Sequence, residues 1–125
     1  MKSTNVVAAI IKKDNQYLIV QRNKNKHLGL KWEFPGGKVD ENESFESALK
    51  REIQEELSIE INIYKKIAEE AYKDDKIDII LHYYLCLQKN GIITLREHEN
   101  LAWVEKKDFA KYDFAEGDGN ILSLL

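Results

Sequence analysis

The stretch from Gly36 to Ile59, GGKVDENESFESALKREIQEELSI, constrains the fold more than any other part of this chain. Pro35-Gly36-Gly37 predicts a turn, and an amphipathic helix follows it. Ser44 suits the N-cap with Glu46 in the first turn, and the helix should stop near Ser58. Phe45, Ala48, Leu49, Ile53 and Leu57 recur at three- and four-residue steps, which makes one buried stripe. At about 100° per residue, Glu52 and Glu56 fall inside that stripe and Glu55 falls at its edge. Ser47, Lys50 and Gln54 take the watery side.

A solvated helix sets its acids opposite its apolar face, and this one does not. An unpaired buried carboxylate is costly, so these groups need a cation or strong hydrogen-bond donors. Glu52, Glu55 and Glu56 stand at i, i+3 and i+4 and are expected to converge on one spot, with Arg51 the one basic residue beside them. Clustered carboxylate oxygens suit a hard divalent ion such as Mg2+ or Mn2+. The plainer reading is a charged helix whose acids find lysines elsewhere or lie at an exposed edge.

The 125 residues fit one domain, residues 1–125, with a real core. Nineteen basic residues against 22 acidic ones, the basic ones scattered, argue against a nucleic-acid polymer as ligand. A small phosphorylated ligand remains allowed, because bound metal can supply positive charge. Cys86, the single cysteine, sits in a hydrophobic run and reads as a buried, inert thiol. The N-terminal residues carry no apolar run after a basic start, and nothing approaches membrane-spanning length. A soluble, cytoplasmic protein is expected, with no membrane partner.

In chain order, Asn5–Lys12 reads as a buried strand and Tyr17–Gln21 as its hairpin partner across Lys13-Asp14-Asn15. Residues 22–31 form a polar, basic loop, and Trp32–Phe34 a short strand before the glycine turn. Ile59–Tyr72 begins by alternating apolar and polar residues and then loosens. Ile77–Leu87 is apolar enough for the middle of a sheet, and Asn90-Gly91 signals a turn. Leu101–Val104 is a further strand, Lys106–Lys111 a short helix and Asn120–Leu125 a last helical turn. Strands flanking one long helix give a mixed α/β (α+β) architecture.

Gly37, five residues, Glu43, seven residues, then Arg51-Glu52-Ile53-Gln54-Glu55-Glu56-Leu57-Ser58-Ile59 resembles the Nudix box, G-x5-E-x7-R-E-U-x-E-E-x-G-U. Only Ser58 departs from it, where the box has glycine. A serine there predicts a left-handed residue with a small stability cost and an intact site. VVAAIIKKDNQYLIVQR, WEFPGGKV and REHENLAWV extend the likeness over nearly the whole chain. They are similar to the MutT-type branch, which includes 8-oxo-dGTP and CTP pyrophosphohydrolases.

The resemblance implies a Nudix fold, an α/β/α sandwich around a central mixed sheet, and a Mg2+-dependent hydrolase with Mn2+ as a substitute. Water would attack a nucleoside triphosphate to give a monophosphate and pyrophosphate. Glu52, Glu55 and Glu56 would ligate metal together with the Gly36 carbonyl. Glu43 would act behind them or through water, and Arg51 would orient the carboxylates, a plain pair with Glu55 being compatible with that. Glu97 is expected as the distal acid, six residues before Trp103, with Glu99 its competitor. Glu52 and Glu97 both remain open as the general base.

For substrate binding, Arg22 matches an arginine near the nucleotide and Phe34 a base-contacting phenylalanine, with core packing the alternative for Phe34. Asp118 falls where the 8-oxo-dGTP-specific branch has an asparagine that reads the base, and a two-residue shift would bring Asn120 there. An ionised aspartate accepts hydrogen bonds and would favour an amino group such as cytosine N4. His82 and Tyr84 share a face of the central strand and could line the pocket, with a place in the core the favoured expectation. Competing readings are a hydrolase of another nucleoside diphosphate derivative and a non-catalytic binding module. Monomer and homodimer are both open.

Overall fold

The structure, a computed structural model, describes residues 3–26, 29–115 and 121–125. In chain order these form β1 (Thr4–Lys13), β2 (Gln16–Gln21), β3 (Trp32–Glu33), β4 (Gly36–Lys38), α1 (Phe45–Leu57), β5 (Ile59–Lys73), β6 (Asp78–Gly91) and β7 (Asn100–Glu105). Two 3-10 helices follow, Lys106–Lys111 and Ile121–Leu124, where sequence predicts short helical pieces.

The strands join into one seven-stranded mixed sheet. β6 lies between β1, which it parallels from Thr4↔Ile79 to Ile11↔Cys86, and β5, which runs antiparallel to it. β4 pairs with the start of β1, at Val6↔Lys38 and Ala8↔Gly36. The end of β1 turns into β2, which leaves β1 to pair with β7 along its length and with β3 at its tip. β1 therefore belongs to both halves of the sheet, and Val7 to Ile11 are buried without interruption. Continuous burial is the mark of a strand covered on both faces.

One face packs Val7, Ala9, Ile11, Tyr84 and Cys86 against Ala48, Leu49, Ile53 and Leu57 of α1. The other packs Ala8, Ile10, Leu81 and Tyr83 against Phe34, Phe109 and Ile121. Helix, mixed sheet and C-terminal 3-10 helices thus form the layers expected of an α+β chain. The loosening after Ile63 is a bulged strand: β5 shifts register between Glu60 and Ile61, Ile63 and Lys65, and Lys66 and Ala68. Each bulge resets the side-chain alternation, so a period-of-two pattern cannot survive 15 residues. Asn90-Gly91 ends β6, with Gly91 at φ +102°. Among the described residues no helix is long and apolar enough to cross a membrane.

The helix ends follow the local chemistry. The Ser44 hydroxyl accepts the Ser47 N–H at 3.1 Å, and Ser58 adopts φ 60°, ψ 33°, with its N–H on the Gln54 carbonyl. A non-glycine residue costs about 1 kcal/mol in that left-handed conformation. Ser58→Gly should raise the melting temperature by roughly 3 °C, read by circular dichroism. A lowered midpoint would mean that the Ser58 hydroxyl, which accepts from Arg96 Nε at 2.5 Å, outweighs the strain.

Candidate active site

Three pieces of backbone meet over the acidic side of α1. The Pro-Gly-Gly turn lays β4 along β1 so closely that a Cβ on Gly36 would fall 1.9 Å from the Val7 carbonyl oxygen. A Cβ on Gly37 would fall 2.3 Å from the Glu52 carboxylate. Two glycines let the main chain rest directly on that acid. The third piece is the segment after β6. The last carbonyls of a helix need donors from outside it, and here the Thr94 N–H supplies one to Leu57 at 2.9 Å and the Arg96 N–H one to Glu56 at 3.1 Å. Capping the helix in this way carries Glu97 to the site.

Arg51 is the hub. Its Nε and Nη2 bind both oxygens of Glu43 at 2.8 and 2.9 Å, and Nη1 reaches Glu52 at 2.9 Å and Glu55 at 3.3 Å. Nη2 also donates to the Lys38 carbonyl at 3.1 Å. The Arg51 guanidinium, helped by the Asp40 N–H, holds the Glu43 carboxyl down to about 2. Glu43 thus anchors the arginine, and the arginine steadies Glu52.

Glu56 is left outside this arrangement. It is 4 % exposed, and its Oε1 has no hydrogen-bond partner among the described residues. Burial, then the negative charges of Glu33, Glu52 and Glu97, push its carboxyl up to about 9, partly offset by the Gly36 N–H. Burial likewise raises Glu52, against the pull of Arg51. Glu55 stands apart, its side chain 54 % exposed. The expected convergence of the three helical acids is therefore only partial: Glu52 and Glu56 line a common cleft, while Glu55, bound to the same Arg51 nitrogen as Glu52, is half exposed outside that lining. As placed, no three potential ligand groups among the described residues stand close enough to share a cation.

The cleft measures about 390 Å3 and has two ends. Glu33, Glu52, Glu56, Glu97, Arg22 and His98 line the charged end; Val6, Ala8, Phe34, Ile79 and Leu81 line the apolar one. Glu97 is in the lining and Glu99 is not: the Glu99 N–H binds the Gln21 carbonyl at 2.9 Å, and its carboxylate accepts from the Lys24 N–H. Phe34 is core and wall at once, 3 % exposed and in ring contact with Tyr83, Phe109 and Phe114. His82 and Tyr84 lie on the helix side, with His82 bonded to Asn5 and in tilted ring contact with Phe45. Asp118 and Asn120 lie outside the described residues.

Sequence reasoning missed Glu33 and His98. Arg22 Nη1 meets Glu33 at 2.7 Å, and His98 Nε2 meets the other Glu33 oxygen at 3.2 Å. The only local signal was an acid in an otherwise apolar short strand.

The donor set fits a hard divalent cation. It is all oxygen, and one member is a buried carboxylate with an oxygen that has no hydrogen-bond partner among the described residues.

The family model described as the NUDIX domain matches residues 1–125. A CTP pyrophosphohydrolase of Escherichia coli (strain K12) is 36% identical over 94% of this chain and 87% of its own length. An 8-oxo-dGTP diphosphatase of Buchnera aphidicola subsp. Schizaphis graminum is 34% identical, over 98% and 92%. The crystal structure of a MutT NUDIX hydrolase from Burkholderia pseudomallei superposes with a TM-score of 0.90 at 26% identity, covering 98% of both chains. Box, fold and relatives agree, and the chain belongs to the Nudix hydrolase family.

Proposed function

We propose that this chain is a Mg2+-dependent nucleoside triphosphate pyrophosphohydrolase, releasing pyrophosphate and a monophosphate from a modified or cytosine-type nucleotide. Nudix hydrolases in general depend on divalent metals. The observation that carries the reading is Glu56, a buried carboxylate with a free oxygen and three acidic neighbours at the charged end of a two-ended cleft. The relatives named for CTP and 8-oxo-dGTP hydrolysis support it.

In this reading Glu52 and Glu56, the Gly36 carbonyl and Glu97 would hold the metal, Glu55 would turn in from its exposed position to join them, and Glu43 would fix Arg51 behind them. A divalent ion held there would supply charge to neutralise the phosphate chain and lower the pKa of water. Arg22 faces the phosphates, and the apolar end with Phe34 takes the base. Glu52 and Glu97, both in the lining, are the two candidates for the group that would accept a proton from water. Asp118 and Asn120 are the proposed readers of the base edge.

With Mg2+ and a panel of 8-oxo-dGTP, CTP, dCTP, 5-methyl-dCTP and ADP-ribose, a triphosphate should release pyrophosphate fastest. Glu56→Gln should lower kcat roughly a hundredfold or more while the far-ultraviolet spectrum is kept. Wild-type rates in that variant, or ADP-ribose as the preferred substrate, would contradict the assignment.

The raised Glu56 carboxyl also fixes a sign. Between its unfolded value of 4.5 and its folded value of about 9 the native state binds the extra proton. Metal-free protein should therefore lose stability as pH rises through that window. Urea unfolding in a chelator should show this decline in the parent and a flatter profile in Glu56→Gln. Parallel profiles would place the buried charge elsewhere.

A further inference from the structure

Among the described residues, His98 is a buried side chain in the lining of the cleft that the proposed reaction leaves without a task. Its side chain is 7 % exposed and its Nδ1 is buried with no hydrogen-bond partner among the described residues. A histidine kept only for packing would satisfy both nitrogens or present an apolar substitute, so an orphaned ring nitrogen calls for a reason. The other nitrogen supplies one. Nε2 donates to Glu33 Oε2 at 3.2 Å, while Arg22 Nη1 holds Glu33 Oε1 at 2.7 Å.

Three separate segments meet in this chain of contacts: Arg22 follows β2, Glu33 ends β3, and His98 precedes β7. The same segments are stitched by main-chain bonds, from the Glu99 N–H to Gln21 and from the Arg22 N–H to Lys31, so the backbone beneath the contacts is fixed. Glu33 lies beside Glu56, close enough for its charge to be felt there before that of any other acid. With both oxygens taken by protein donors, Glu33 is set apart from the acids that await a metal. Its task becomes the aim of Arg22.

We propose that His98 is a positioning residue: by fixing the second oxygen of Glu33 it fixes the Arg22 guanidinium at the phosphate end of the cleft. This rests on the triphosphate reading above. Without His98, Glu33 can swing, and Arg22 follows it or spends its charge on other neighbours. Substrate binding then suffers while the acids at the reacting phosphorus stay in place.

The test uses the full chain with Mg2+ and the triphosphate that the panel selects, plus a non-hydrolysable analogue of it for direct binding. His98→Leu should raise KM, and the Kd of the analogue, by roughly tenfold with kcat kept within about twofold. His98→Asn, which retains an N–H for Glu33, should recover most of the loss. Arg22→Ala combined with His98→Leu should bind no more weakly than Arg22→Ala alone, because His98 acts through Arg22. Should His98→Leu fail to fold, His98→Met fills the space without a donor and gives the same reading. Unchanged KM and Kd, a fall in kcat alone, or multiplying effects in the double variant would overturn the proposal. A parent chain that binds no triphosphate analogue would remove the hydrolase reading and this proposal together; an active parent indifferent to His98→Leu would remove this proposal only.

Discussion

One arginine cannot serve every acid placed around it, and the site is organised by that shortage. Arg51 is committed to Glu43, Glu52 and Glu55 and to the Lys38 carbonyl. Glu56, one turn further along and deeper in the seam between α1 and the sheet, is eased by the Gly36 N–H but keeps one oxygen with no partner among the described residues. A carboxylate in that position is costly while charged, and it stays protonated well above the usual range. In the proposed reading a cation from outside the chain would reverse that balance and turn this acid into a ligand.

The fold delivers this arrangement with main chain more than with side chains. Gly36 and Gly37 bring β4 against Val7 and Glu52 where no Cβ would fit. Thr94 and Arg96 cap the end of α1, and the same segment sets Glu97 in the cleft while Glu99 is turned back to β2. β1 belongs to both parts of the sheet, so the charged end and the apolar end of the cleft share one rigid floor. The acids are held differently: Arg51 meets Glu52, Glu56 keeps an oxygen with no partner among the described residues, and Glu33 has two donors of its own.

What was legible in the sequence was local and periodic. The stripe from Phe45 to Leu57 revealed both the helix and the inward turn of Glu56, because a 3.6-residue repeat fixes facing without knowledge of the partner. Ser58 declared its left-handed conformation by standing where a glycine belongs. The bulges of β5 were not legible, since each depends on what β6 presents opposite it. Nor was the link from Arg22 through Glu33 to His98, whose partners lie 11 and 65 residues apart. Helical spacing placed Glu55 at the edge of the stripe, and the structure leaves it half exposed outside the cleft lining. Glu97 and Glu99 were separated by a single backbone bond to Gln21 that no pattern announces.

The most direct measurement is calorimetric titration of the chelator-treated protein with Mg2+ near neutral pH, in buffers of different ionisation enthalpy. A buried acid that gives up its proton to admit the cation should release about one proton on binding, and Glu56→Gln should abolish that release while weakening affinity. Binding heats independent of buffer, with the same affinity in Glu56→Gln, would mean that the cation does not enter at the buried carboxylate.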